Sequence, residues 1–82
     1  MLDLAMKTLA DLLLDYREDT GTTREELADN TGLHINTISL IEQGKIWNIK
    51  VRTAVAIASA IDVTPQQVLT CAIHSWKAEQ SR

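Results

Sequence analysis

The run Thr23-Arg24-Glu25-Glu26-Leu27-Ala28-Asp29-Asn30-Thr31-Gly32-Leu33-His34-Ile35-Asn36-Thr37-Ile38-Ser39-Leu40-Ile41-Glu42-Gln43 decides the fold. Thr23 with Glu26 three positions on is a capping box, in which the hydroxyl meets the backbone N–H near Glu26 and the carboxylate reaches back. A short helix is therefore predicted over about Arg24–Asn30, burying Leu27 and Ala28. Thr31-Gly32-Leu33 reads as a tight turn, because Gly32 takes a positive φ with no Cβ clash. A second short helix is predicted over about Ile35–Gln43, stopping at Gly44, with Ile38 and Ile41 on its inward face. Ala28 is small where the two helices must cross closely.

Outward from this pair, the same punctuation marks three more helices. The first is predicted over Leu2–Glu18, with Leu2, Met6, Leu9, Leu13 and Tyr16 spaced as one stripe. Leu12 and Leu14 widen the stripe, and Asp19-Thr20-Gly21 ends it. After a loop at Gly44–Ile49, a fourth helix over about Lys50–Ile61 places Val51, Ala54, Val55, Ala58 and Ile61 inward. Thr64-Pro65-Gln66-Gln67 opens a fifth, with Thr64 as cap, Pro65 at the first helical position and Gln67 completing a second box. That helix reaches about Lys77, with Val68, Leu69, Ala72, Ile73 and Trp76 on one side. The expected fold is all-α, a compact five-helix arrangement forming a single domain over residues 1–82.

Composition narrows the function classes. Hydrophobic residues make up 45% of the 82, with three Gly and one Pro, a globular balance that leaves room for one modest core. No run approaches the ~18 apolar residues of a membrane span. The start carries Asp3 and lacks the features of a secretory signal, so a cytoplasmic location is expected. Cys71 is the one cysteine, and with His34 and His74 it completes neither a disulfide nor a zinc set. It reads most simply as a small buried hydrophobe. No nucleophile–base pair, phosphate loop or spaced carboxylate pair is present, so neither enzymatic activity nor a metal or cofactor is expected.

The net charge of -3 is unevenly spread. Residues 1–32 hold eight acids against Lys7, Arg17 and Arg24, whereas residues 33–77 hold Lys45, Lys50, Arg52 and Lys77 against Glu42 and Asp62. A nucleic acid responds to the face it meets rather than to the sum. Two short helices joined by a glycine-containing turn form the unit that presents a helix to the major groove of DNA. At 100° per residue, Asn36, Ser39, Leu40 and Gln43 face outward, with Ile35 on the shoulder. That set carries no charge, which suggests contact rather than solvation. Asn36 suits paired hydrogen bonds to adenine, and Ile35 and Leu40 suit thymine methyl groups. Arg24, Lys45, Lys50 and Arg52 are candidate phosphate ligands, grouped near one end of the third helix. Trp47 is expected to be buried under its loop, with direct contact to DNA as the alternative, and Trp76 to lie in the core or in a dimer interface.

Three segments carry a family resemblance: the run from Thr23 to Leu33, the run from Thr37 to Lys45, and Ala56-Ile57-Ala58-Ser59-Ala60-Ile61-Asp62-Val63-Thr64. Together they resemble the lambda repressor/Cro-like helix-turn-helix family over roughly residues 9–69. The resemblance implies a five-helix DNA-binding fold, commonly dimeric, found in phage repressors, restriction-modification controllers and antitoxins. It also implies that Arg24 contacts phosphate and that Ile35, Asn36, Ser39 and Leu40 face bases. Gln43 and Lys45 would flank the DNA backbone, and Arg17 and Glu42 would form an internal ion pair. His34 stands where a Ser or similar cap is usual, so a weak cap is expected there. The Ile46-Trp47-Asn48-Ile49 loop is longer and more apolar than the family's usual connection.

These readings lead to a dimeric, DNA-binding transcriptional regulator acting on double-stranded DNA. Val68, Leu69, Ala72 and Trp76 are the candidate homodimer contacts, and the first-helix stripe with Leu14 is the competing surface. The alternative is a protein-interaction module that keeps the fold and turns the apolar Ile35 and Leu40 to a protein partner.

Overall fold

A computed structural model of the chain describes residues 7–80. Among these the fold is all-α: α1 (Leu9–Thr20), α2 (Arg24–Thr31), α3 (Ile35–Glu42), α4 (Val51–Ile61) and α5 (Pro65–Gln80). None of these helices is long and apolar enough to cross a membrane.

The helix ends follow from local polar chemistry. The Thr23/Glu26 box closes in both directions, at 3.1 Å each way. The Thr64/Gln67 box closes likewise at α5, which runs one turn further than expected, to Gln80. α1 starts later than its apolar stripe suggested. Thr8 is its N-cap, and the Asp11 carboxylate accepts from the Thr8 N–H, a box in which Asp replaces the longer acid. Lys7 and Thr8 are thus outside the helix, and the expected stretch 2–6 lies outside the described residues. Asp62 ends α4 in the left-handed region at φ 59, where a Cβ is disfavoured.

Leu9, Leu12, Leu13, Leu27, Ile38, Ile41, Ala54, Ile57, Ala58, Ile61, Val68 and Cys71 form one buried cluster. α4 packs along α5, α5 and α3 also meet α1, and α2 lies against both α3 and α4. The expected inward face of α4 is corrected. Ile57 is fully buried, while Val51 and Val55 are 66% and 47% exposed. Centring the buried face on Ala54, Ile57, Ala58 and Ile61 turns Val51 and Val55 to its edge. The start of α1 is docked on α5 by polar links. The Leu9 N–H donates to Ser75 Oγ at 2.8 Å, and His74 Nδ1 donates to the Lys7 carbonyl at 2.7 Å.

Cys71 sits inside this core, and burial raises its thiol pKa above the ordinary value. Since the thiolate is the reactive species, both the shift and the burial suppress its chemistry. A chromogenic disulfide reagent at mildly alkaline pH is expected to leave the folded protein unmodified and to label one thiol per chain once urea unfolds it. Prompt labelling of the native protein would contradict the buried placement.

Candidate nucleic-acid interface

The α2–α3 unit is built around its turn. Gly32 adopts φ 74, and Thr31, buried at the end of α2, donates its hydroxyl to the Leu27 and Ala28 carbonyls. The same oxygen accepts from the Leu33 N–H at 3.2 Å. The chain therefore reverses around a satisfied polar atom and not around a void. His34 is the N-cap of α3, and its Nδ1 accepts from the Asn36 N–H at 3.1 Å. A capping side chain is thus present where a weak cap was expected, because an imidazole lone pair can replace a hydroxyl oxygen. At the other end, the Lys45 N–H donates to the Leu40 carbonyl and the Gly44 N–H to that of Ile41. With Gly44 at φ 76 this is a Schellman motif, which fixes the chain as it leaves α3.

Along α3, Ile38, Ile41 and Glu42 face inward. Asn36 and Gln43 are exposed, and Ser39 and Leu40 are half-buried. Gln43 Nε2 donates to Ser39 Oγ at 3.0 Å, so these two act as a linked pair one turn apart. Ile35 is half-buried and packs against the core, so only part of its side chain reaches the outer face.

Arg24, Lys45, Lys50 and Arg52 are all exposed, but they do not gather near one end of α3. Arg24 is tied to Glu42 and Lys45 follows the Schellman turn, both at the C-terminal end of α3. Arg52 instead lines a shallow depression with Thr31, Gly32 and Leu33, at the N-terminal end. The cations bracket α3. Lys50 is the N-cap of α4, which alone among the five helices has no side chain hydrogen-bonded at its cap. Its first turn thus combines unpartnered N–H groups with Lys50 and Arg52, a pairing of like polarity that disfavours the helix in isolation.

Glu42 holds the unit to the rest of the protein. Its side chain is 1% exposed. Arg17 Nη1 donates to both carboxylate oxygens at 2.8 and 2.9 Å, and Arg17 Nε donates to the Thr22 carbonyl. Arg24 Nε donates to Glu42 Oε1 at 2.7 Å, a contact the sequence pattern did not suggest. Two further side chains were read differently. Trp47 is half-buried, and its indole N–H donates to the Glu79 carboxylate, linking the loop to the end of α5. Val68, expected at a dimer contact, is fully buried in the core and offers no surface. Leu69 and Ala72 are largely covered, whereas Trp76 and Ile73 are exposed. Leu69, Ala72, Ile73 and Trp76 line an apolar groove of about 400 Å³ together with Trp47, Asn48 and Ile49.

The two arginines are unequal in what they support. Arg17 is 24% exposed and closes the carboxylate, whereas Arg24 is 44% exposed. Arg17→Met is expected to cost about 3 kcal/mol, because it leaves the buried Glu42 carboxylate with only the Nε–H of the more exposed Arg24. Arg24→Met is expected to cost under about 1 kcal/mol, in the range of exposed pairs. Urea denaturation of both variants checks the ranking, and equal losses would contradict it.

No curated protein and no solved structure matches the chain. The sequence profile of a helix-turn-helix family matches residues 13–68, which takes in α2, the turn, α3, the following loop and α4. The matched span is well over half of the chain and coincides with the unit built on Thr31, Gly32 and Glu42, so the chain belongs to the lambda repressor/Cro-like helix-turn-helix family of DNA-binding regulators.

Proposed function

We propose that the protein is a transcriptional repressor of the phage, restriction-controller or antitoxin kind, which binds an inverted-repeat operator in the cytoplasm as a homodimer. One observation carries this reading: the uncharged outward row of α3 runs between two exposed sets of cations. An amide matches the donor and acceptor edge of adenine and aliphatic carbons match the thymine methyl, while flanking cations suit phosphates. This distribution therefore fits a helix that reads A·T pairs between two backbone contacts. The start of α4 supports the same view. Its unpartnered N–H groups, Lys50 and Arg52 disfavour one another in isolation, and a phosphate arriving there would satisfy all of them.

In this scheme Asn36 specifies an adenine, and Leu40, with the exposed part of Ile35, favours a neighbouring thymine. The Ser39–Gln43 pair contributes at the far end of the row. Arg24, Lys45, Lys50 and Arg52 fix the register on the backbone. One short α3 makes few contacts, and a second copy doubles them and selects a two-fold site, with the two helices about 34 Å apart. The apolar groove along α5, with Leu69, Ala72 and Trp76, is the surface proposed for that second copy. A protein-partner role for α3 is the less favoured reading, because Ile35 and Leu40 are both half-covered and leave little apolar area outward.

Asn36→Ala is expected to weaken binding to a selected operator by about 1–3 kcal/mol and to relax preference at one base position. Lys50→Ala is expected to weaken selected and scrambled duplexes alike and to flatten the salt dependence by about one unit. Fluorescence anisotropy on both duplexes across a salt series separates the roles. Unchanged binding of Asn36→Ala to every duplex would overturn the readout scheme.

For the dimer, the measurement is sedimentation with and without the double substitution Leu69→Ala, Trp76→Ala. The parent is expected to sediment as a dimer at tens of micromolar, roughly the range of weak homodimers, and the variant as a monomer. A dimer that survives the substitutions would move the interface elsewhere.

A further inference from the structure

The cluster of Glu42, Arg17 and Arg24 holds two guanidinium groups on one carboxylate. It is one negative charge short of balance. The shortfall is not shared evenly. Arg17 commits Nε to the Thr22 carbonyl and Nη1 to Glu42, and is mostly covered. Arg24 commits Nε alone, and among the described residues its two terminal nitrogens have no acceptor. A guanidinium carries five N–H donors in a rigid fork. With its single Nε–H fixed on Glu42 Oε1, the plane of the fork is set and four donors remain on an exposed side chain.

We propose that Glu42 is a positioning residue for DNA binding: it anchors Arg24 by Nε and presents the free edge of the fork to one backbone phosphodiester, whose single charge completes the balance of the cluster. The proposal rests on the DNA-binding reading and adds a role for a residue that touches no DNA. The buried carboxylate spares the complex the loss of rotamer freedom that a mobile arginine would suffer on binding. It also makes arginine irreplaceable at this position. A lysine's three donors share one nitrogen, so an ammonium drawn onto Glu42 holds its remaining donors at the carboxylate and cannot span from it to a phosphate as the fork does.

The test uses the full chain and a mixed-sequence DNA duplex, with anisotropy across a salt series and thermal unfolding of each protein. Arg24→Ala is expected to lose about tenfold in affinity at low salt and about one unit of salt slope. Arg24→Lys, which keeps the charge, is expected to bind nearly as weakly as the alanine variant while unfolding at the parent's temperature. Glu42→Gln is the sharper case. It removes a negative charge from a chain of net charge -3, so a purely electrostatic role predicts tighter binding, whereas positioning predicts weaker binding.

A folded Glu42→Gln protein that binds as tightly as the parent or more tightly overturns the proposal. If Glu42→Gln fails to fold, Arg24→Lys decides alone, and parental affinity in that variant overturns it. A parent that binds no duplex even at low salt removes the DNA-binding reading itself, a result distinct from either variant failing.

Discussion

Taking a carboxylate out of water is costly unless charged donors replace the lost hydration, and Glu42 is almost wholly out of water. Its replacement donors come from two directions. Arg17 reaches it from α1 and is itself pinned to the Thr22 carbonyl in the connection to α2, while Arg24 reaches it from the first turn of α2. Three helices and a loop thus converge on one side chain at the end of α3. An apolar core tolerates small slides between packed surfaces, but a forked hydrogen bond to a buried charge does not. The orientation of α3 relative to α1 and α2 is therefore set by polar geometry, with Ile38 and Ile41 supplying the buried area beneath it.

Helices of eight residues are too short to persist alone, so α2 and α3 depend on their ends and on the core. Each end is satisfied by a different device: a capping box at Thr23, a threonine hub at Thr31, an imidazole at His34 and a Schellman turn at Gly44. Against that background the start of α4 stands out for lacking one. A protein optimised for stability alone would place Ser or Asp at position 50 and acids after it. Lysine there sacrifices helix stability at the place where the fold presents backbone N–H groups and cations together. The exposed Asp62 in a left-handed conformation is a second local cost, although nothing near it suggests a ligand.

Much of the fold was legible because its signals are local. Capping boxes, positive-φ glycines and a proline at the first helical position are read within four residues. The boxes at Thr23 and Thr64, the turn at Gly32 and Pro65 fell where expected. The misread parts depend on distance or on a crowded apolar pattern. Thr8 was overlooked because the leucine-rich stripe runs past it without interruption and its box closes through Asp11. In α4, apolar residues surround most of the helix, so periodicity alone chose the wrong edge and omitted Ile57. The Arg17–Glu42 pairing was accessible through family resemblance together with the helical wheel, which turns Glu42 toward the inward side, and the Arg24–Glu42 contact through neither route. Residues 18 apart meet there only because the turn at Gly32 folds α3 back beside α2. The spread of cations to both ends of α3 likewise follows from where α4 lies against α2, which no sequence window contains.

The apolar groove has an optical consequence. The chain has two tryptophans, and both line that groove, one from the loop after α3 and one from α5. Ultraviolet emission from the protein therefore originates almost entirely on one face. Anything that covers the groove excludes water from both indoles together and shifts their emission to shorter wavelength. The outward row of α3 carries no fluorophore at all, so the two faces of this small protein can be watched independently, one by its own light and the other only by a label on whatever it holds.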